Sequence, residues 1–325
     1  MSRMVATALA AHVGLPTVAL ALDPSLPAYD AVSGVSGQLK SVGSDTLVHE
    51  MELWAEGFRT KYPGVSVTIE GRGSATAPPA LLAGTAQFGP MSRLMTSKEA
   101  RAFQEKFGYE ATAVRVAIDA VAIYVNKDNP IQCLDLQQLD RIFSKPRKGS
   151  EAKSIETWGE AGLDGEWAAK PISMYGRNTL SGTYAFFRQL LYRGEFKETV
   201  RQQVGSEAVV QEIANDKYAI GYSGIGYKTG GVRTVPVAAF DGDGCYDTSA
   251  ENTYSGKYPI ARYLYIFLNR KPGEPLDALR GEFIKFVLSK DGQTLTEKGG
   301  YYSITAATRE AELNELGLLT AAVSK

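Results

Sequence analysis

The sequence predicts an α/β protein of two lobes, the first interrupted by the second and the two joined by crossing strands. Three observations carry this. Strand and helix signals alternate along the first part of the chain, the order that builds parallel sheets. Two apolar, β-branched stretches, Thr112 to Asp128 and Pro259 to Lys271, read as strands that pass between lobes, and the first is too long for one ordinary strand. Between them lies a region of domain size with its own β-α signals, and a chain of 325 residues is expected to divide about more than one core.

The elements follow in order. A leader, "MSRMVATALAAHVGLPTVALALDPSLPAYD", places Arg3 before Ala, Val and Leu residues and offers Ala19-Leu20-Ala21 as a small-x-small site. That is the pattern of a secretory signal peptide, although His12 and Pro16 interrupt its apolar region; a disordered tail is the alternative. Leu22 to Gly37, rich in Pro, Ser, Gly and Ala, reads as a linker, so residues 1–37 form leader plus linker. A strand over Leu39 to Val42 meets a Gly-Ser-Asp-Thr turn, and a helix follows with Leu47, Met51, Trp54 and Phe58 at helical spacing. "PGVSVTIEG" alternates as a strand. "GRGSATAPPALLAG" is a Gly-rich turn into a short helix carrying Pro78 and Pro79 in its first turn. After the second crossing strand, "LRGEFIKFVLSKDGQTLTEKGGYY" reads as one amphipathic helix with Phe283, Phe286, Val287 and Leu288 on its apolar side. Lobe I is therefore expected over 38–120 plus 257–325, with lobe II, 121–256, inserted. Lobes so joined close on ligands by hinge motion.

Charge narrows the function. With 35 Lys+Arg against 36 Asp+Glu the net charge is −1, which gives no long-range field for nucleic acid or acidic membrane surfaces. Beyond the leader no apolar run is long enough for a membrane span. Cys133 and Cys245 are the only cysteines; in an exported chain such a pair favours one disulfide, with two separate buried thiols as the alternative.

Three junctions share one design. "GSDTL" (Gly43 to Leu47), "GRGSAT" (Gly71 to Thr76) and "RNTLSGT" (Arg177 to Thr183) each put Gly, Ser or Thr at the start of a helix. A helix N-terminus presents unpaired N–H groups and a partial positive charge, so it attracts anions. Ser, Thr and Asp are also the preferred N-caps, and one such motif alone would be read as capping. Three of them, spread over both lobes, point to an anion site in the cleft. Arg177 supplies the charge, its planar fork suited to two oxygens of a tetrahedral anion.

Enzyme signals are thin. Of two histidines, His12 lies in the leader and His49 reads as a surface or packing residue of the first helix, which leaves no Ser-His-Asp or metal-ligand set. No Walker-type loop occurs, and "GYSGIGY" (Gly221 to Tyr227) fails the GxGxxG spacing. Asp241, Asp243 and Asp247 sit in a Gly/Asp turn that lacks the remaining ligands of a calcium loop.

The run "VGSDTL … GRGSATAPPALLAGTAQFGPMSR … DAVAIYVNKDNP … GRNTLSGTYAFF … AIGYSGIGY" resembles the periplasmic phosphate-binding proteins of ABC importers, the PstS-type family, from about Lys40 to Gly300. Its most specific part is Arg-x(3)-Ser-Gly-Thr followed by a helix. The resemblance implies a type II periplasmic-binding fold, each lobe a mixed sheet flanked by helices with two crossing strands as hinge, and phosphate held between the lobes. It implies phosphate ligands at Asp45, Thr46 and Ser74, with Ser44 and Leu47 open as alternatives in the first turn, and at Arg177, Ser181, Gly182 and Thr183, the last two through backbone N–H groups. Many family members carry an Asp where this chain has Ser92; that Asp takes the proton of monohydrogen phosphate and so rejects sulfate. The expectation is a swap, with Asp45 as acceptor and Ser92 as donor. The implied partners are inorganic phosphate and the membrane permease of an ABC importer, with no cofactor and no catalysis, for a periplasmic or otherwise secreted monomer. A binder of another oxyanion, a phosphate sensor and a phosphate-ester hydrolase are the rival functions.

Overall fold

A computed structural model describes residues 22–146, 153–191 and 194–319. The strands are β1 (Gly37–Gly43), β2 (Val65–Gly71), β3 (Gly89–Met91), β4 (Thr112–Asn126), β5 (Leu134–Asp135), β6 (Ser173–Arg177), β7 (Arg201–Gln203), β8 (Ala219–Gly224), β9 (Val232–Val235), β10 (Val237–Ala238) and β11 (Ala261–Leu268). The helices are α1 (Val48–Lys61), α2 (Ala77–Ala83), α3 (Ser97–Phe107), α4 (Leu136–Phe143), α5 (Gly182–Leu190), α6 (Ser206–Asn215), α7 (Ala250–Tyr254), α8 (Ala278–Val287), α9 (Lys290–Lys298) and α10 (Ala306–Glu315).

The 15-residue strand β4 organises the molecule. Its first half pairs antiparallel with β11, from Thr112↔Leu268 to Ala120↔Ala261. Its second half pairs with β8 on one edge and β9 on the other. Beyond β11 the first lobe continues through β3 and, by a bridge between Phe88 and Ser41, to the parallel pair β1–β2. Beyond β8 the second lobe continues through the parallel strands β6 and β7. Apolar side chains gather into a core for each half. Trp54, Phe58, Phe283 and Phe286 pack in the first, and Trp158, Phe187 and Tyr222 in the second. The helix expected from Leu47, Met51, Trp54 and Phe58 forms, and all four are fully buried.

Three expectations change. The second crossing strand, β11, is shorter than the apolar run and pairs only with β3 and the first half of β4, while Tyr258 and Ile260 before it enter the second core. The single helix expected over 279–302 is two, α8 and α9. Ser289 breaks it, donating its hydroxyl to the Phe286 carbonyl and accepting the Gly292 N–H. Gly292 lies so close to the end of α8 that a Cβ there would sit 2.3 Å from the Phe286 carbonyl oxygen. Amphipathic periodicity runs through both helices, so it could not show the corner. The segment read as a linker, 22–37, is docked against the first lobe: Leu26 is buried, the Tyr29 N–H donates to Asp291, and its ring packs edge-on against Phe286. Aromatic and aliphatic anchors outweigh its Pro- and Ser-rich composition. The leader expected over residues 1–21 lies outside the described residues.

Cys133 and Cys245 form a disulfide with a Cα–Cα distance of 6.0 Å, beside the two-stranded pairing of β5 with β10. Among the described residues no helix is long and apolar enough to cross a membrane.

Candidate functional site

The three Gly/Ser/Thr junctions converge at the top of the two half-sheets. β1 leads into a tight 3-10 turn, Asp45–Leu47, before α1, and β2 leads into another, Ser74–Thr76, before α2. At neither does a side chain cap the turn. Ser44 instead donates its hydroxyl to Ser92 Oγ at 3.1 Å, and Ser74 Oγ accepts the Ser92 backbone N–H at 3.0 Å. The hydroxyls of Ser74 and Ser92 lie 3.2 Å apart. In the third junction, after β6, Ser181 does cap α5, accepting from the N–H groups of Thr183 and Tyr184. A hydroxyl carries one proton and two lone pairs, so Ser74 and Ser181 accept from the protein and keep a proton to give.

Contacts across the cleft are close. The Thr46 and Thr183 hydroxyls are 3.1 Å apart, and the Ala75 N–H donates to the Leu180 carbonyl. Gly182 meets the opposing junctions so tightly that a Cβ would lie 2.2 Å from Ser74 Oγ and 2.5 Å from Ser92 Oγ. Only glycine permits that approach. Thus Asp45, Thr46, Ser74, Ser92, Arg177, Ser181, Gly182 and Thr183 are all brought together. The N–H of Thr183 is given to Ser181, so Thr183 meets the cleft with its hydroxyl rather than through the backbone. Of the alternatives, Ser44 joins the hydroxyl group, whereas Leu47 is buried in the first core.

Arg177 is the charged centre. It stands at the end of β6, 1% exposed, and donates from Nη1 to Ser206 Oγ at 2.7 Å. Its Nη2 lies 2.6 Å from Asp45 Oδ1, an ion pair across the cleft. Asp45 Oδ2 accepts two further bonds, from the Ser206 N–H and hydroxyl, both at 3.1 Å. Two atoms here are buried without an aligned hydrogen-bond partner: Arg177 Nε, a donor, and Asp45 Oδ1, an acceptor in charge contact only. Buried polar atoms are nearly always paired, so a donor without a partner, Arg177 Nε, beside an acceptor oxygen that meets only Arg177 Nη2 needs a reason. An oxyanion that carries one proton would satisfy both.

Several residues of the cluster escaped sequence reasoning. Ser206, first residue of α6, sits between Arg177 and Asp45, and its Gly-Ser-Glu start was a fourth instance of the same junction design. Tyr227 donates its phenol to the Asp45 carbonyl; burial pushes that phenol up, which keeps it a donor. Arg262 on β11 and Asp119 on β4 form a second buried ion pair at 2.8 Å. Arg262 was visible as the one charge in its apolar strand, and Asp119 as one of two in β4, and that was the signal to use. His49 is exposed on α1. Among the described residues no group of three or more His, Cys, Asp or Glu is placed to hold a metal ion.

Comparison with known proteins gives the family. Residues 29–291 match the PBP superfamily domain. The phosphate-binding protein PstS of Pseudomonas aeruginosa is 48% identical over 313 residues, which is 96% of this chain and 97% of that protein. The chain belongs to the PstS family of the PBP superfamily. A solved structure with bound phosphate, a candidate phosphate ABC transporter substrate-binding protein from Clostridium perfringens, is 27% identical and superimposes with a TM-score of 0.69, covering 82% of this chain and all of that one. An ABC-type phosphate transport receptor from Vibrio cholerae, at 23% identity and a TM-score of 0.63 over 82% of this chain and all of that one, shares the fold. The family fold is the two-lobe type II arrangement, with β4 and β11 running where the lobes meet.

Proposed function

We propose that the protein binds inorganic phosphate in the interlobe cleft and delivers it to an ABC-type importer. The observation that carries this is the buried Arg177–Asp45 pair, whose Arg177 Nε has no partner, in a cleft where serine and threonine hydroxyls of both lobes meet. Monohydrogen phosphate offers oxygens to the first and a proton to the second. The ligand set is Asp45, Thr46, Ser74, Ser92, Arg177, Ser181, Gly182 and Thr183, with lobe I over 38–120 plus 257–325 closing on lobe II over 121–256. Support comes from the name of the Pseudomonas aeruginosa relative and from the phosphate bound in the Clostridium perfringens structure.

Selectivity follows from the single acceptor. A carboxylate beside an anion is repelled unless a shared proton bridges them, and sulfate has none to give at neutral pH. Asp45 is held for that task by Ser206 and Arg177 on the opposite lobe. Ser92, where the resemblance implies an Asp in many members, acts with Ser44 and Ser74 as a hydroxyl group.

The protein works in the periplasm as a monomer, exported by its leader, hands phosphate to a membrane permease, and performs no covalent chemistry. Two measurements test this together. Phosphate at 100 times its dissociation constant should stabilise the fold by about 2.7 kcal/mol. p-Nitrophenyl phosphate with added divalent metals should not turn over. Turnover would make the cleft catalytic, and the absence of any phosphate-dependent shift would make it no phosphate site.

A further inference from the structure

Arg262 reaches the cleft from β11 and touches residues of both lobes. Its Nε and Nη2 donate to Asp119 Oδ2 at 3.1 and 2.8 Å. Its Nη1 donates to the Ser92 carbonyl at 2.7 Å, in the first lobe. Its Nη2 donates also to Thr183 Oγ1 at 2.8 Å, in the second, and the guanidinium lies 5.0 Å over the ring of Phe186 on α5. The other oxygen of Asp119 accepts the Ile225 N–H. All three guanidinium nitrogens are thus engaged, through four of the five N–H groups.

The bond to Thr183 has a chemical consequence. A threonine hydroxyl has a single proton and can point it at any acceptor within reach. With a guanidinium N–H on one lone pair, the proton turns away from Arg262, towards Thr46 and the cleft. We infer that Arg262 is a positioning residue for the anion site: it fixes the Thr183 hydroxyl as a dedicated proton donor while holding the Ser92 backbone, so that both lobes present aligned donors when the cleft shuts. This deepens the phosphate reading and rests on it. Backbone N–H groups polarise Ser74 and Ser181 in the same sense, but Arg262 alone does so from the hinge strands, next to the point where the lobes pivot.

The test is a double-mutant cycle on phosphate affinity, read by calorimetry. Arg262→Met is made together with Asp119→Asn, which removes the pair without stranding a buried charge and leaves the local net charge unchanged. Loss of a hydrogen bond to a charged group predicts phosphate binding weaker by about tenfold. In a Thr183→Val background the same double change should weaken binding by less than about threefold, because the hydroxyl it orients is gone. Equal losses in both backgrounds would mean that the pair only supports the fold, and no loss in either would remove Arg262 from the site. Should the double variant not fold, Arg262→Lys decides: its single ammonium keeps the charge beside Asp119 but cannot hold Ser92 and Thr183 at once. A loss that disappears with Thr183→Val supports the role, and an undiminished one overturns it. Failure of the native chain to bind phosphate would bring down the function, whereas native binding without coupling between 262 and 183 brings down only this assignment.

Discussion

Arg177 and Arg262 each meet a buried aspartate, yet the two pairs are carried differently. Arg262 and Asp119 face one another on neighbouring strands, β11 and β4, in direct register. Opening the cleft does not separate them. Arg177 and Asp45 stand on opposite sides of the cleft, at the end of β6 and in the turn after β1, and their contact spans it. The first pair is a frame and the second a latch. In the frame every nitrogen of Arg262 and both oxygens of Asp119 carry a hydrogen bond, whereas the latch leaves Arg177 Nε without a partner and Asp45 Oδ1 with Arg177 alone. Binding chemistry belongs where matching is incomplete.

The largest expected effect breaks the latch at its acceptor. A site built around one hydrogen bond rejects an analogue lacking it by about 10⁴-fold or more. Asp45→Asn should collapse the preference for phosphate over sulfate towards parity, measured by titrating both anions; an unchanged preference would return Asp45 to a structural role. Next is Arg177→Ala. Removing one partner of a buried charge pair costs about 3–5 kcal/mol, so phosphate should weaken by roughly two to three orders of magnitude. A loss below about threefold, smaller than one surface ion pair is worth, would place Arg177 outside the site.

Smaller effects separate latch from frame. Gly182→Ala adds a methyl that meets Ser74 and Ser92 across the cleft. Overpacking of this kind costs about 1–3 kcal/mol, so affinity should fall by about tenfold or more while the unfolding midpoint without phosphate holds. An equal drop in both would mean that the contact persists when the cleft opens. The smallest change in affinity is expected at Glu50, one turn beyond Thr46 on α1, whose two carboxyl oxygens are buried without partners against Gly299. Burial raises this carboxyl well above its ordinary range. The native state therefore keeps a proton that the unfolded chain releases, and stability falls as pH rises from the ordinary carboxyl range towards the raised native value. Glu50→Gln should flatten that fall, seen in urea titrations at acid and neutral pH, and leave phosphate affinity nearly as it was.

Much of this was legible in the sequence because the relevant signals are local. The length of the run Thr112 to Asp128 announced a strand shared between lobes, and Gly-Ser-Asp-Thr, Gly-Ser-Ala-Thr and Ser-Gly-Thr announced helix starts. What stayed hidden depends on contacts between distant residues. The turn at Ser289 is set by packing against α8, and the strap at Leu26 and Tyr29 by the core it covers. Arg262 and Asp119 were lost inside apolar strands because periodicity weighs the majority of a segment. Their meaning lies in the exception. Capping was the ordinary reading of all three junctions, and it describes Ser181 but not Ser44 or Ser74, whose hydroxyls turn to Ser92 instead.

The central claim is that a cleft closed by Asp45 and Arg177 takes an anion only when that anion brings a proton. Calorimetric titration of the native chain with phosphate, and then with sulfate as competitor, tests it most directly. The account predicts saturable binding of one phosphate per chain and sulfate weaker by about 10⁴-fold or more. Equal affinities for the two anions, or no heat with phosphate, would contradict it.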